Sequence, residues 1–317
     1  MERPMAGRQR TLASIANLLG AGTMEEEVLI SGLTQTSQEI EPGDIFLAFP
    51  GANVHGASFC DEAIRRGAHA VLTDTRGAQI VNGIPVVVVS DPRRSAGTLA
   101  AWFYDEPMRD MYSVGITGTN GKTTTTTLLH QLWTCAGKES GLIGTVETRI
   151  GMDLSKSKRT TPESSELQAL AATMRERHMC NFVMEVSSHA IALERIRGSH
   201  FATVAFTNLT QDHLDFHGTM AEYFQAKRAL FTFEYADLAV INIDDPYGAR
   251  LAQSIDIPIR TISRQNKQAD WKYEFAVPHL AGQDVSIRGL GGILIEGFLP
   301  LHWGYNLDNS LLAVALA

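Results

Sequence analysis

Short apolar runs separated by turn residues dominate residues 28–108. Asp44 to Phe49 reads as a strand entered through the turn Glu41-Pro42-Gly43-Asp44. Ala70 to Thr73 and Pro85 to Ser90 read as two more, the latter carrying four successive valines. Phe59 to Arg66 between them is helical in pattern and stops at Gly67. Residues 95–104 are helical too, and Glu106-Pro107 marks a boundary. From Tyr112 the pattern becomes strand, loop, helix, repeated. Ser113–Thr117, Phe182–Val186, Thr203–Asn208 and Leu238–Ile243 are the strands, and Thr123–Cys135 is the first long helix. Such alternation predicts a doubly wound, mostly parallel sheet that binds ligands at the carboxyl ends of its strands. Residues 272–303 predict short β segments broken at Gly289, Gly291 and Gly292, and Asn309–Ala317 predicts a helix without a C-cap.

Composition narrows the class. The 317 residues carry 35 acidic and 27 basic side chains, a formal charge of −8, with 44% apolar residues. This is a globular balance, too apolar for disorder and without net attraction for nucleic acid. Cys60, Cys135 and Cys180 are too few and too scattered for a disulfide scaffold. No apolar run has the length of a membrane span, and Met1–Arg10 lacks the apolar stretch of a signal peptide. A reduced, cytoplasmic protein of two domains is the expectation, divided into residues 1–108 and 109–317.

Gly118-Thr119-Asn120-Gly121-Lys122-Thr123-Thr124 follows a predicted strand and opens a predicted helix. Glycines let backbone N–H groups wrap a phosphate, Lys122 can reach the β/γ-phosphates, and Thr123 can ligate Mg²⁺. The common G-x-x-x-x-G-K-[ST] spacing is not met, because Ile116 stands five residues before Gly121. Glu185 ends a strand at the same sheet edge, where it is either a metal-side carboxylate or a surface Glu. Asp212 and His213 follow the next strand, and His213 can bind metal through a neutral nitrogen. His213 and His217 lack the partners of a zinc site. The segment Tyr223–Phe231 is an amphipathic helix in which Lys227, by pattern alone, is a snorkelling surface lysine.

Taken together these motifs resemble the Mur ligases, the ATP-dependent amide-forming enzymes of peptidoglycan synthesis. The similarity runs from about Leu33 to the chain end and is nearest to the branch that adds the third peptide residue. Arg159-Thr160-Thr161-Pro162, Met184 to Ala190, Thr207 to Asp215 and Tyr223 to Phe231 fall in the family's order and spacing, as does the phosphate loop. The resemblance implies a small α/β uridine-nucleotide domain followed by a P-loop ATPase domain. It implies Thr123 and Glu185 on one Mg²⁺, and His213 with Lys227, carbamylated by CO₂, on a second. Gly118–Thr124, Asn306 and Asn309 would bind ATP. Ser37, Gly51, Ala52, Asn53, Thr160, Thr161, Ser187 and Arg195 would hold UDP-N-acetylmuramoyl-L-Ala-D-Glu.

The implied reaction phosphorylates the γ-carboxylate of D-Glu, and a diamino acid, meso-diaminopimelate or lysine, then attacks the acyl phosphate. A monomer is expected, with no nucleic-acid or membrane partner. Two departures stand out. Thr36-Ser37-Gln38 replaces the usual Asp-Ser-Arg, and Leu193 stands where some members have Gln. The family's third domain, of roughly 150 residues, is not in the sequence, so a truncated chain is expected. A nucleotide-binding remnant, a degenerate paralogue with another uridine ligand, and a folylpolyglutamate synthetase are the competing readings; the last usually has Gly-Lys-Gly at the loop.

Overall fold

The computed structural model describes residues 3–5, 8–24 and 27–317. Residues 1, 2, 6 and 7 of the N-terminal stretch, which lacks the apolar run of a signal peptide, lie outside them. The chain forms two compact units. The first comprises residues 1–107, 162–177 and 193–199, and the second the remainder.

In the first unit, β1 (Arg10–Thr11) and β2 (Leu29–Ile30) make a short antiparallel ribbon. Beside it lies a parallel sheet of β3 (Gly32–Thr34), β4 (Asp44–Leu47), β5 (Ala70–Thr73) and β6 (Val86–Val88), in that order. These strands are continuous apolar runs because parallel strands are covered on both faces. Leu12 and Ile15 of α1 (Leu12–Leu19) fill one side. Ala57, Cys60 and Ala63 of the Gly56–Arg65 helical segment pack with Phe46 and Val71. Helix α4 (Pro92–Phe103) starts at Asp91, which accepts from the Arg94 N–H, with Pro92 in the first turn. Its Leu99, Ala100 and Phe103 share a core with Ala169 and Ala172 of α6 (Ser164–Glu176). Backbone closeness seals this packing: a Cβ on Gly97 would strike the Arg197 backbone.

The second unit is built on one eleven-stranded sheet. Its strands are β7 (Tyr112–Thr117), β8 (Ser140–Ile143), β9 (Glu147–Ile150), β10 (Asp153–Lys156), β11 (Asn181–Glu185), β12 (Phe201–Phe206), β13 (Ala236–Asn242), β14 (Ile259–Ser263), β15 (Trp271–His279), β16 (Gly282–Arg288) and β17 (Leu294–Leu299). The order is β10-β9-β8-β11-β7-β12-β13-β14-β15-β16-β17. From β8 through β15 all neighbours are parallel; the hairpin β9–β10 and the meander β15–β17 add antiparallel ends. This is the doubly wound, mostly parallel α/β sheet that the alternation predicts. Sequence order reverses between β7 and β12, which opens a crevice at their carboxyl ends. Leu129 and Trp133 of α5 (Lys122–Cys135) pack with Leu307, Leu311 and Leu312 of α11 (Gly304–Leu316) over Val114, Ile116 and Val183. The last helix begins five residues before the predicted start at Asn309.

Candidate active site

The phosphate-loop motif sits where β7 meets α5. Gly118 (φ 149°) and Gly121 (φ 88°) are in backbone conformations that favour glycine. Both are also crowded: a Cβ on Gly118 would meet Thr207 Oγ1, and one on Gly121 would meet Asn309 Oδ1. The segment after β12 braces the loop. Thr207 Oγ1 donates to Asn120 O at 2.7 Å, Asn120 N–H donates to Asn208 Oδ1 at 3.0 Å, and Thr119 N–H donates to Asn208 O at 2.8 Å. Lys122 folds back over its own loop and donates to Gly118 O and Thr119 O, both at 2.9 Å. Burial lowers its pKa, and Glu185 and Asp212 oppose that shift.

Glu185, at the end of β11, is 1% exposed, so the surface reading of this residue fails. Three donors converge on its carboxylate. Thr123 Oγ1 reaches Oε1 at 2.9 Å, Thr145 N–H reaches Oε1 at 2.8 Å, and Thr145 Oγ1 reaches Oε2 at 3.1 Å. Thr145 Oγ1 also lies 3.1 Å from Thr160 Oγ1. Behind them, buried Thr161 donates to Glu185 O at 2.9 Å and accepts from the Ser187 N–H at 3.1 Å. A cleft of about 340 Å³ brings together Thr119–Thr124, Thr145, Thr160, Glu185, Ser187 and His213.

Lys227 overturns its pattern reading. It is no snorkelling surface lysine but 1% exposed, on α9 (Met220–Arg228). Its ammonium donates to Gly118 O at 2.9 Å and lies 4.7 Å from the centre of the Tyr223 ring. Burial lowers its pKa well below the usual lysine value, and the positive charge of Lys122 adds to the shift. The Tyr223 ring also meets His213 edge-on at 6.2 Å. His213 itself is left-handed (φ 50°) and meets His189 at 4.8 Å. His217 is held by Ser188, Nε2 to Oγ at 2.9 Å.

Of the remaining predicted residues, Asn309 meets the phosphate loop and the others lie elsewhere. Asn309 is buried against Gly121 and accepts from Thr125 Oγ1 at 3.4 Å, whereas Asn306 donates to His302 O at 2.7 Å. Ser37, Gly51, Ala52, Asn53 and Arg195 belong to the first unit. There Ser37 Oγ donates to Glu62 at 2.6 Å, and Arg195 pairs with buried Glu163 at 2.9 Å. Thr145 escapes sequence reading because nothing distinguishes it from the neighbouring threonines. Thr207 and Asn208 lie inside a recognised motif, yet their loop-bracing role is visible only in three dimensions.

The donor chemistry can be tested against a metal. Thr123 Oγ1 and Glu185 offer hard oxygens in one cleft, which fits Mg²⁺. Lys227 as an ammonium donor cannot ligate a cation and fits one only as a carbamate. Among the described residues no group of three or more His, Cys, Asp or Glu is arranged to hold a metal. Among them, too, no helix is long and apolar enough to cross a membrane.

Comparison with known proteins places this geometry. Residues 116–317 match the Mur ligase middle domain, and residues 29–104 match the Mur ligase family catalytic domain. The UDP-N-acetylmuramoyl-L-alanyl-D-glutamate–2,6-diaminopimelate ligase of Streptomyces coelicolor is 44% identical over 99% of this chain. The chain spans 63% of that protein's length. A solved structure of a ligase of the same name superposes with a TM-score of 0.82 at 23% identity, covering 96% of this chain and 63% of that one. The folylpolyglutamate synthase of Mycobacterium tuberculosis, solved with ADP and AMPPCP, gives a TM-score of 0.54 at 16% identity over 71% of this chain and 58% of that one. The last two show shared fold alone. With both family signatures in chain order and the middle-domain match running from Ile116 to Ala317, this chain belongs to the Mur ligase family.

Proposed function

We propose that this chain carries the nucleotide- and acceptor-binding parts of an ATP-dependent acid–amino-acid ligase of peptidoglycan precursor synthesis. The acceptor is UDP-N-acetylmuramoyl-L-Ala-D-Glu and the added group a diamino acid. The printed name of the Streptomyces coelicolor relative favours 2,6-diaminopimelate over lysine. The observation that carries the reading is the Thr123–Glu185 pair beside Lys122, three groups brought to one cleft from α5 and β11.

In this reading residues 1–108 bind the uridine nucleotide, with Ser37 and Gly51, Ala52 and Asn53 in contact with it, and residues 109–317 bind ATP. Lys122 leaves the carbonyls of Gly118 and Thr119 to meet the β/γ-phosphates, while the loop N–H groups and the start of α5 orient them. Thr123 and Glu185 would hold Mg²⁺, which would supply neutralisation of the phosphate charge. Thr160, Thr161, Ser187 and Arg195 hold the acceptor and orient its D-Glu γ-carboxylate. Asn306 and Asn309 serve the adenine side. The burial of Lys227 supports carbamylation, because an amine kept neutral is a nucleophile for CO₂. As a carbamate it would, with His213, hold a second Mg²⁺. The chain works as a cytoplasmic monomer.

The test is phosphate release from ATP with the acceptor, Mg²⁺ and bicarbonate, with diaminopimelate or lysine added separately. Release that depends on diaminopimelate and is abolished by Lys122→Ala, with the circular dichroism spectrum unchanged, is expected. Undiminished release in Lys122→Ala would refute the site. Binding of both nucleotides without release would assign this chain a binding role alone.

A further inference from the structure

Glu163 is a buried charge that the fold of the first unit does not call for. It stands at the N-cap of α6, 5% exposed, directly after Arg159-Thr160-Thr161-Pro162. Residues favoured at an N-cap turn a short side-chain oxygen onto the first free N–H groups of the helix. Glu163 makes no such side-chain bond. Only its carbonyl serves the helix, accepting from the Leu167 N–H at 2.8 Å. Taking a carboxylate out of water costs free energy that an apolar residue of similar size would not.

The carboxylate is turned instead to two guanidinium groups. Its Oε1 lies 2.9 Å from Arg195 Nε, and its Oε2 accepts from Arg93 Nη1 at 3.3 Å. The arginines come from two separate segments of the first unit, Arg93 from the first turn of α4 and Arg195 from residues 193–199. Arg93 also lies over the Phe49 ring, 5.1 Å from its centre. Close backbone packing fixes these segments against each other. A Cβ on Gly97, one helical turn after Arg93, would strike the Arg197 backbone, and one on Gly198 would strike Gly97 O. Glu194, immediately before Arg195, is left-handed (φ 56°), a conformation that a non-glycine residue keeps where its surroundings impose it.

Such a cluster is a poor device for stability. Replacing a whole buried group of paired charges by apolar residues is often neutral or stabilising. What the cluster does provide is geometry. An arginine side chain has many rotamers, and one held in place beforehand loses less freedom when it meets a ligand. Arg195 is the member of the cluster that the reading above places on the acceptor.

We propose that Glu163 is a positioning residue for acceptor binding: its carboxylate holds the Arg195 guanidinium in the orientation that meets a carboxylate of the acceptor, and Arg93 steadies Glu163 from α4. This rests on the acceptor reading given above and adds Glu163 and Arg93 to it, both acting through Arg195.

Titration calorimetry of the 317-residue chain with UDP-N-acetylmuramoyl-L-Ala-D-Glu and, separately, UDP distinguishes positioning from folding, because UDP lacks the peptide carboxylates. Glu163→Gln keeps the shape of the side chain and removes its charge. It is expected to weaken the acceptor about tenfold and to leave UDP within about twofold. Arg93→Gln is expected to weaken the acceptor about threefold. A double-mutant cycle tests the route. Arg195→Met should weaken the acceptor at least as much as Glu163→Gln does, and adding Glu163→Gln to Arg195→Met should weaken it by less than about twofold more. If Glu163→Gln loses its cooperative thermal transition, Glu163→Asp decides, since it keeps the charge and withdraws it by one methylene. A loss of acceptor affinity of about threefold with UDP unchanged is then the supporting result, and an unchanged acceptor affinity the opposing one. Equal acceptor affinity in Glu163→Gln and the parent chain, equal weakening of both ligands, or additive losses in the cycle would overturn the proposal while leaving the acceptor reading intact. A parent chain that binds neither ligand, or an Arg195→Met variant that binds the acceptor unchanged, would overturn the acceptor reading and this proposal with it.

Discussion

A methyl group at Gly121 meets two obstacles, a left-handed backbone and the side-chain oxygen of Asn309. Gly137 shares the first (φ 73°) but faces open space. Alanine at Gly137 is therefore expected to cost about 1 kcal/mol, and alanine at Gly121 about 1–3 kcal/mol more. Urea midpoints of the two variants check this, the difference between them isolating the contact with Asn309. His130 makes a pH-dependent case. Its Nδ1 lies 2.8 Å from Ser140 Oγ, and burial, with Arg149 adding, lowers its pKa below 6.5. The unfolded chain then takes up the proton first. Stability present above pH 6.5 is lost as the pH falls through the lowered folded value. His130→Gln is expected to flatten the fall in urea midpoint between about pH 7 and pH 5. An unchanged fall would remove His130 from the acid response. At this scale the phosphate loop was legible because its glycines, lysine and threonine are contiguous. Lys227 was not, because its burial depends on a carbonyl 109 residues away. The local pattern of α9 holds no trace of it.

Helix α9 delivers both Tyr223 and Lys227 to the site, and a capping box fixes its start. Thr219 Oγ1 accepts from the Glu222 N–H at 3.2 Å, and Glu222 accepts from the Thr219 N–H at 3.0 Å. Thr219→Ala is expected to cost about 1 kcal/mol. Chemical denaturation measures that cost, and a loss under about 0.3 kcal/mol would show the helix held by packing alone. Elements differ in legibility for a physical reason. The strands β4, β5, β7 and β12 announce themselves as apolar runs because the sheet buries them. Helix α6 is also deeply buried, and polar residues such as Ser165, Gln168 and Thr173 stand inside it, so its buried face is not marked by apolar residues alone. Strand β10 fails in the opposite way, for all four of its residues are exposed and no alternation remains to be read.

The division into units follows contacts rather than chain order. Sequence pattern alone predicts a single boundary at 108/109, whereas α6 and residues 193–199 join the first unit from within the later part of the chain. Sequence order conceals this, because a segment inserted from downstream carries no linker signature. Ala169 and Ala172 complete the core around Leu99, Ala100 and Phe103. A fragment of residues 1–107 is therefore expected to bind ANS and to unfold without a cooperative transition, despite its intact parallel sheet. A sharp thermal transition in that fragment would show the α6 contact to be dispensable.

That stitching also sets a timetable during synthesis. The residues that begin the first unit leave the ribosome long before those that finish it, with about ninety residues intervening between 107 and 199. At about 5–20 residues per second, the early sheet waits roughly 5–20 s with the apolar face of α4 uncovered. Vectorial folding, unit by unit, is closed to this chain. Trigger-type chaperones that shelter nascent apolar surface should matter more to its yield than to that of a protein whose first domain closes on itself.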